Sequence, residues 1–325
     1  MSIRLITAIE DGAIVVPRNG PIAVFRPTAA IDLSPLDRAR LHVIQGHKPD
    51  FDAFTAAGYD TRVDPDGRYV AALVCLPKSK EQARGLIAQA AQMTDGPIWI
   101  DGQKTDGVES ILREIRKRTD VFGVTSKAHG KLFGVHPSDF SDWAAKPQTV
   151  DTFQTAPGVF SADKIDAGSA MLVNALPEKP PARVADLGAG WGYLSRAILQ
   201  RESVKELHLV EAEHIALQCA RQNITDPRAQ FHWANALTFK PEKPLEAVIM
   251  NPPFHQGRST EASLGQGFIT AAARILAPHG KLWMVANRHL PYETVAAALF
   301  QTVTEIGGDN RFKLLLAEKP RRSGR

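Results

Sequence analysis

Cysteine is nearly absent from this sequence: its 325 residues include two, Cys75 and Cys219. Both sit inside apolar or helical patterns, which excludes a disulfide framework, and their spacing is not that of zinc ligands. A reducing cytosol is the expected compartment. Long apolar runs are also missing. The start, "MSIRLITAIEDG", carries charges and has no apolar core of signal length. No run approaches the roughly 18 apolar residues that a bilayer-spanning helix needs. These absences predict a soluble, cytoplasmic protein with no membrane partner and no metal. Strong charge is the third absence. The formal net charge is +4 and the pI about 9.0, which permits a polyanionic partner without requiring one. Basic residues gather at Arg113, Arg116, Lys117 and Arg118, and again at Lys319, Arg321, Arg322 and Arg325. That pattern suits solvated surface as well as an RNA contact.

The remaining composition is that of a globular chain, 44% hydrophobic and 23% charged, long enough for two domains. The C-terminal half alternates apolar strands with helical patterns. Strands are expected at "ARVADLG" (Ala182–Gly188), "ELHLVEA" (Glu206–Ala212), "AQFHWAN" (Ala229–Asn235), "LEAVIMN" (Leu245–Asn251) and "KLWMVAN" (Lys281–Asn287). Helices are expected at Tyr193–Arg201, His214–Asn223, Leu264–Leu276 and after Pro291. "TVTEIGG" and "RFKLLLAEK" read as a closing strand pair. Such alternation predicts a mostly parallel sheet covered on both faces. The N-terminal half runs strand, proline stop, helix, strand, helix, hairpin from Tyr69 to Pro137, the order found again from Leu245 to Lys319. This is an internal duplication, with a linker at Asp139–Thr152. Where the second half has "DLGAGWG", the first offers "LHVIQG" (Leu41–Gly46). Where the second has "NPPF", the first has "LPKS". The first copy keeps a fold without its chemistry.

"DLGAGWG" places Asp186, Gly188, Gly190 and Gly192 on a strand-to-helix turn, where glycine lets backbone approach a ligand. It is not the dinucleotide pattern, because Tyr193 stands three residues after Gly190. Asp186 would repel a pyrophosphate and suits a cation. S-adenosylmethionine, with its sulfonium and amino group, fits such a strand end. Glu211 follows Gly188 by 23 residues and ends the second strand, where an acid can bind both hydroxyls of a ribose. Asn235 and Ala236 lie where the adenine would be held. The plainer reading of Glu211 is an exposed strand terminus.

Asn251 ends the fourth strand and opens on the same crevice. Asn251, Pro252 and Phe254 suit methylation of a nitrogen conjugated to a ring or carbonyl. Such a nitrogen is a poor nucleophile until its lone pair is localised. The Asn251 side-chain oxygen and the Pro252 carbonyl can grip its N–H groups, and Phe254 can stack on a flat base. His255 beside the motif suits orientation or an RNA phosphate better than a base. The plainer reading is a helix-starting turn, with asparagine as cap and prolines in the first turn.

These residues resemble the class I S-adenosylmethionine-dependent methyltransferases. Within that class they resemble the bacterial ribosomal RNA small subunit methyltransferase C family, which acts on guanine N2, and its large-subunit relative. The resemblance is carried by "PGVFSADKIDAGSAML", "DLGAGWGYLS", "NPPFHQG", "VANRHLPYE" and "RFKLLLA", and by "LPKSKEQA" and "DGQKTDGVES" in the first half. It thins before Leu41. It implies an α/β fold of two tandem Rossmann-like methyltransferase domains. Residues 1–145 form a degenerate copy that binds RNA or gives structural support. Residues 152–325 form the catalytic copy, whose seven-stranded, mostly parallel sheet ends in an antiparallel hairpin. It implies N2-methylguanosine formation in ribosomal RNA or a subunit particle, with "GVFSADKIDAG" closing over the cofactor and Phe160, Asp166 and Gly168 near it. Asn235 departs from the aspartate that many relatives of the wider class carry, so a backbone N–H could serve there. The sequence specifies no oligomeric state, and a monomer is the simplest expectation. Two other readings use the same turn: glutamine-N5 methylation of a protein, and an RNA-binding assembly factor with a dead site. Phe254 in place of tyrosine and the duplicated domain disfavour the first. The intact Asp186, Glu211 and Asn251 disfavour the second.

Overall fold

The apolar runs become two seven-stranded sheets, seen in a computed structural model that describes residues 2–253 and 258–321. One compact unit comprises the chain through Pro147 together with Ala156–Gly158; Gln148–Thr155 and the chain from Val159 form the other.

The first unit contains β1 (Ile22–Phe25), β2 (Leu41–Ile44), β3 (Asp60–Arg62), β4 (Ala71–Cys75), β5 (Ile98–Gln103), β6 (Val121–Lys127) and β7 (Gly130–Val135). Its helices are α1 (Ser2–Glu10), α2 (Lys48–Ala56), α3 (Lys80–Met93) and α4 (Val108–Ile115). Helix α3 starts where Ser79 Oγ accepts from the Gln82 N–H at 3.3 Å, the cap its sequence calls for. Part of the expected linker is structured. Trp143 is buried against Phe140, and the Arg84 and Arg118 guanidiniums lie 5.4 and 4.7 Å from its ring centroid.

The second unit opens with a hairpin, β8 (Gln148–Val150) and β9 (Phe153–Thr155), then α5 (Ala167–Ala175). There follow β10 (Arg183–Leu187), α6 (Tyr193–Leu199), β11 (Glu206–Glu211), α7 (His214–Asn223), β12 (Ala229–Trp233) and β13 (Leu245–Met250). The chain closes with α8 (Arg258–Ile275), β14 (Leu276–Asn287), α9 (Tyr292–Leu299), β15 (Phe300–Gly308) and β16 (Phe312–Pro320). Residues alternate between two buried layers. Ala185, Leu187, Val248 and Met250 pack with Phe268 and Ile269 of α8; Val184 and Ile249 pack with Leu172 of α5 and with Leu194 and Ile198 of α6.

The strand orders are β3-β2-β1-β4-β5-β7-β6 and β12-β11-β10-β13-β14-β16-β15, the same path twice. In each sheet the first five strands pair in parallel, and the last two join antiparallel. The duplication therefore reaches further toward the N-terminus than the sequence reading, which had no strand before Leu41. Strand β1 escaped notice because it is four fully buried residues between Pro21 and Pro27, too short to show a period.

This register corrects the pairing of motifs between the copies. Phe25 pairs with Ile44 as Leu187 pairs with Val210. The Arg26 N–H donates to the Ile44 carbonyl at 2.8 Å, as the Gly188 N–H does to the Val210 carbonyl at 2.9 Å. The counterpart of the glycine turn is thus Arg26-Pro27-Thr28, and "LHVIQG" matches the strand that ends on Glu211. Val24 pairs with Leu73 as Asp186 pairs with Ile249, so Val24 stands for Asp186 and Cys75 stands for Asn251. "LPKS" is one residue out of step with "NPPF". A second difference concerns the region before Lys281. Helix α8 begins at Arg258, and β14 begins at Leu276. Leu245 pairs with Leu276 and Ala247 with Lys281, so "APHG" is taken up as a bulge instead of ending the helix in a loop.

Candidate active site

A cleft lies at the carboxyl ends of β10 and β13, bounded by the glycine turn, the segment before α5, and Asn251. Parallel strands that all end here bring together residues far apart in sequence.

The glycine turn forms its floor. Gly188 and Gly190 have φ of +77° and +55°, a region that disfavours side chains. A Cβ on Gly190 would meet nothing within 4 Å and would stand in open space. On Gly188 it would touch Phe268 Cε1 at 3.4 Å. Glu211 is fastened to this turn from the next strand. Its Oε2 accepts from the Gly190 N–H at 2.8 Å and its Oε1 from the Glu213 N–H at 2.7 Å. Burial raises its carboxyl above the ordinary range, and the two backbone N–H groups oppose that rise. Each oxygen keeps a lone pair, so a ribose diol can donate to the pair. Glu211 is half-buried and ordered, not a loose strand terminus.

Asp186 sits differently from the expectation of an open acid. It is fully buried under the turn on the Val184 face, facing α6. Its Oδ2 accepts from Ser195 Oγ at 2.7 Å, and its Oδ1 has no partner among the described residues. Burial pushes its pKa from 3.8 to about 7, against the Ser195 hydrogen bond and with help from the nearby Glu211 charge. A buried acceptor without a partner is costly, and a cationic group brought to it would lower that cost. Gly190 and Glu211 therefore fit a ribose at the turn, and Asp186 beneath it adds a negative charge that suits a cationic end.

Asn251 is half-buried at the mouth of β13. Its Nδ2 donates to Asp166 Oδ2 at 3.0 Å and to Ser169 Oγ at 2.8 Å. Its Oδ1 is buried and has no partner among the described residues. Pro252 is buried and Pro253 exposed. Phe254 and His255, singled out from sequence, lie outside the described residues.

The other expected residues divide. Phe160 lines the cleft, 40% exposed, and its carbonyl accepts from Trp191 Nε1 at 2.8 Å. Gly168 is buried in α5, where a Cβ would meet Val285 Cγ2 at 3.2 Å and Phe312 Cε1 at 3.3 Å, so it serves packing against β14 and β16. Asn235 Oδ1 accepts from the Leu237 N–H at 2.9 Å, which closes the turn after β12. Ala236 is buried against Phe268's cluster. Sequence reasoning missed Ser169, Trp191 and Ser195. Trp191 stands inside the quoted motif, and it ties the turn to the segment before α5 while Asn223 Nδ2 holds its carbonyl at 2.8 Å. Ser195 lies nine residues after Asp186, within the first turn of α6, a spacing that places its hydroxyl back under the strand end. Ser169 carried no signal beyond its place in "KIDAGSAML".

The family model for the methyltransferase small domain matches residues 151–316, which contain the whole cleft. The chain belongs to this methyltransferase family. Among curated relatives, the ribosomal RNA small subunit methyltransferase C of Hahella chejuensis (strain KCTC 2396) is 29% identical over 272 residues, 78% of this chain and 79% of that protein. Its counterpart from Shewanella sp. (strain MR-4) is 31% identical over 271 residues, 76% of each chain. Membership of the methyltransferase C group, to which "DLGAGWG" and "NPPFHQG" pointed, thus holds over both halves. A solved structure of a T. thermophilus 16S rRNA N2 guanine methyltransferase, in complex with AdoMet and guanosine, is similar with a TM-score of 0.79 at 23% identity. It covers 94% of this methyltransferase and 90% of that chain, and it shows the fold. Among the described residues no helix is long and apolar enough to cross a membrane, and no group of His, Cys, Asp and Glu could hold a metal ion.

Proposed function

We propose that this methyltransferase transfers a methyl group from S-adenosylmethionine to the exocyclic N2 of a guanine in small-subunit ribosomal RNA, in the cytoplasm. The observation that carries the reading is Asn251 Oδ1, a buried acceptor without a partner among the described residues, in a cleft floored by the glycine turn to which Glu211 is fastened. S-adenosylmethionine supplies an electrophilic methyl group on a sulfonium. Glu211 would hold its ribose hydroxyls, the charge of Asp186 beneath the turn would favour its cationic amino group, and the turn after β12, with Asn235 and Ala236, would hold the adenine.

The guanine amine is flat because its lone pair is shared with the ring. Asn251 Oδ1 and the Pro252 carbonyl accept from its two N–H groups and favour the pyramidal nitrogen, whose lone pair then points along one direction. Proline helps because it brings a carbonyl without a competing N–H. Phe254 follows in sequence as the stacking plate for an unstacked base. The nitrogen would gain the methyl as the bond from that carbon to sulfur breaks, leaving a neutral thioether, and would lose one proton to solvent, so no side chain need act as base. The proteins named small subunit methyltransferase C support the RNA substrate. The test is transfer of labelled methyl to undermethylated small-subunit RNA and to subunit particles, followed by nucleoside analysis. Label is expected in N2-methylguanosine, and Asn251→Ala is expected to cut the rate about a hundredfold or more while leaving cofactor affinity within about twofold. Label in protein, or in N6-methyladenosine, would overturn the assignment.

A further inference from the structure

A side-chain amide has two faces of nearly the same shape. Its oxygen accepts, while its nitrogen donates twice. Catalysis at an amine needs the oxygen face, because a turned-over amide would set two donors against two donors. Methyl transfer at this cleft therefore requires that Asn251 be kept the right way round.

We infer that Asp166 and Ser169 are positioning residues that lock the Asn251 amide with its oxygen toward the substrate. This rests on the proposed methyl transfer. Asp166 Oδ2 and Ser169 Oγ lie 3.0 and 2.8 Å from Asn251 Nδ2, so both of its N–H groups are used. An ionised carboxylate only accepts, so it cannot pair with the oxygen of a flipped amide. Asp166 is itself fixed, because the same Oδ2 accepts from the Ser169 N–H at 2.8 Å as the N-cap of α5. The first turn of α5 is thus a rigid template, and Ser169 within it is only 6% exposed. Donation to a carboxylate also pushes electron density onto the amide oxygen and strengthens it as an acceptor. The same orientation leaves Asn251 Oδ1 buried without a partner among the described residues, an acceptor turned away from Asp166 and Ser169 and available to a donor.

The experiment compares Asp166→Ser, Asp166→Asn and Ser169→Ala with the unmodified chain, measuring single-turnover methyl transfer and S-adenosylmethionine affinity by calorimetry. Serine and asparagine both cap helices well, so α5 is kept in each. Serine is too short to reach Asn251, whereas asparagine keeps an oxygen at the capping position. Asp166→Ser is expected to slow transfer about tenfold, the loss of one charge-assisted hydrogen bond. Ser169→Ala should slow it a few-fold, and Asp166→Asn should restore most of the rate. Cofactor affinity should stay within about twofold throughout. Equal rates in all variants overturn the positioning role while leaving the methyltransferase reading intact. A loss in Asp166→Ser that appears mainly as weaker cofactor binding overturns it too, because Asp166 then serves the cofactor and not Asn251. Absence of transfer by the unmodified chain overturns the parent reading and this inference with it.

Discussion

Asp186→Asn changes one buried charge and almost no volume, and two of its consequences have opposite signs. In the folded protein the carboxyl is pushed up to about 7, whereas the unfolded chain holds it near 3.8. Stability from the neutral form is complete below 3.8 and is lost as the pH rises through about 7. Above pH 7 the charged form is disfavoured by roughly 4 kcal/mol, an upper figure for a fully buried group. Asparagine removes that penalty, and its oxygen can still accept from Ser195 Oγ. Its NH2 must enter the same pocket, at a cost of about 1–3 kcal/mol. The cofactor-free variant should therefore be about 1–3 kcal/mol more stable than the parent at pH 8. For a unit of this size that is a rise of a few degrees in Tm, at about 2–4 °C per kcal/mol. The gain should shrink to nothing or reverse by about pH 5, where the parent carboxyl is already neutral. Cofactor binding should move the other way and weaken about ten- to a hundredfold, because a neutral amide replaces the acceptor for a cation. Thermal melts across pH 5–8, paired with calorimetric titration at pH 8, read both effects. A variant that is equally destabilised at every pH, or that binds S-adenosylmethionine undiminished, would refute this account of Asp186.

Glu211→Gln should weaken cofactor binding by about tenfold or more, read by calorimetry, because its NH2 replaces an acceptor and faces a backbone N–H of Gly190 or Glu213. Undiminished affinity would show that the ribose is held elsewhere. The chain should bind one S-adenosylmethionine, not two. In the first sheet Gln45 stands for Glu211, and its Nε2 donates to the Pro27 carbonyl at 2.7 Å, so both the acid and the glycine turn are gone. A calorimetric stoichiometry near two would contradict that.

The same exchange shows how the two copies diverged. A glutamate fits a turn that offers an N–H, and a glutamine fits a turn that offers a carbonyl. Gln45 Oε1 still accepts from the His47 N–H at 2.8 Å, as Glu211 Oε1 does from Glu213. One atom of the side chain kept its structural duty while the other lost its ligand.

From Tyr69 to Pro137 and from Ala182 onward, most strands and helices and their order were readable in the chain itself, because they depend on periods of two and 3.6 and on local turn chemistry; β1, β3 and the short helices before them were not. The glycine turn, Glu211 at its spacing and Asn251 at a strand end were readable too, since each is a short-range pattern tied to a strand terminus. Three things needed the tertiary structure. Strand pairing alone shows that Arg26 stands in the place of Gly188 and Cys75 in that of Asn251, since register is set between strands and not along one. Packing of α6 against β10 turns Asp186 from an open acid into a buried one with a raised pKa. The contact of Asn251 with Asp166 and Ser169 spans more than eighty residues and exists only because α5 docks beside the end of β13. No local pattern could announce it: an amide becomes a catalytic acceptor only when distant neighbours have used up its donors.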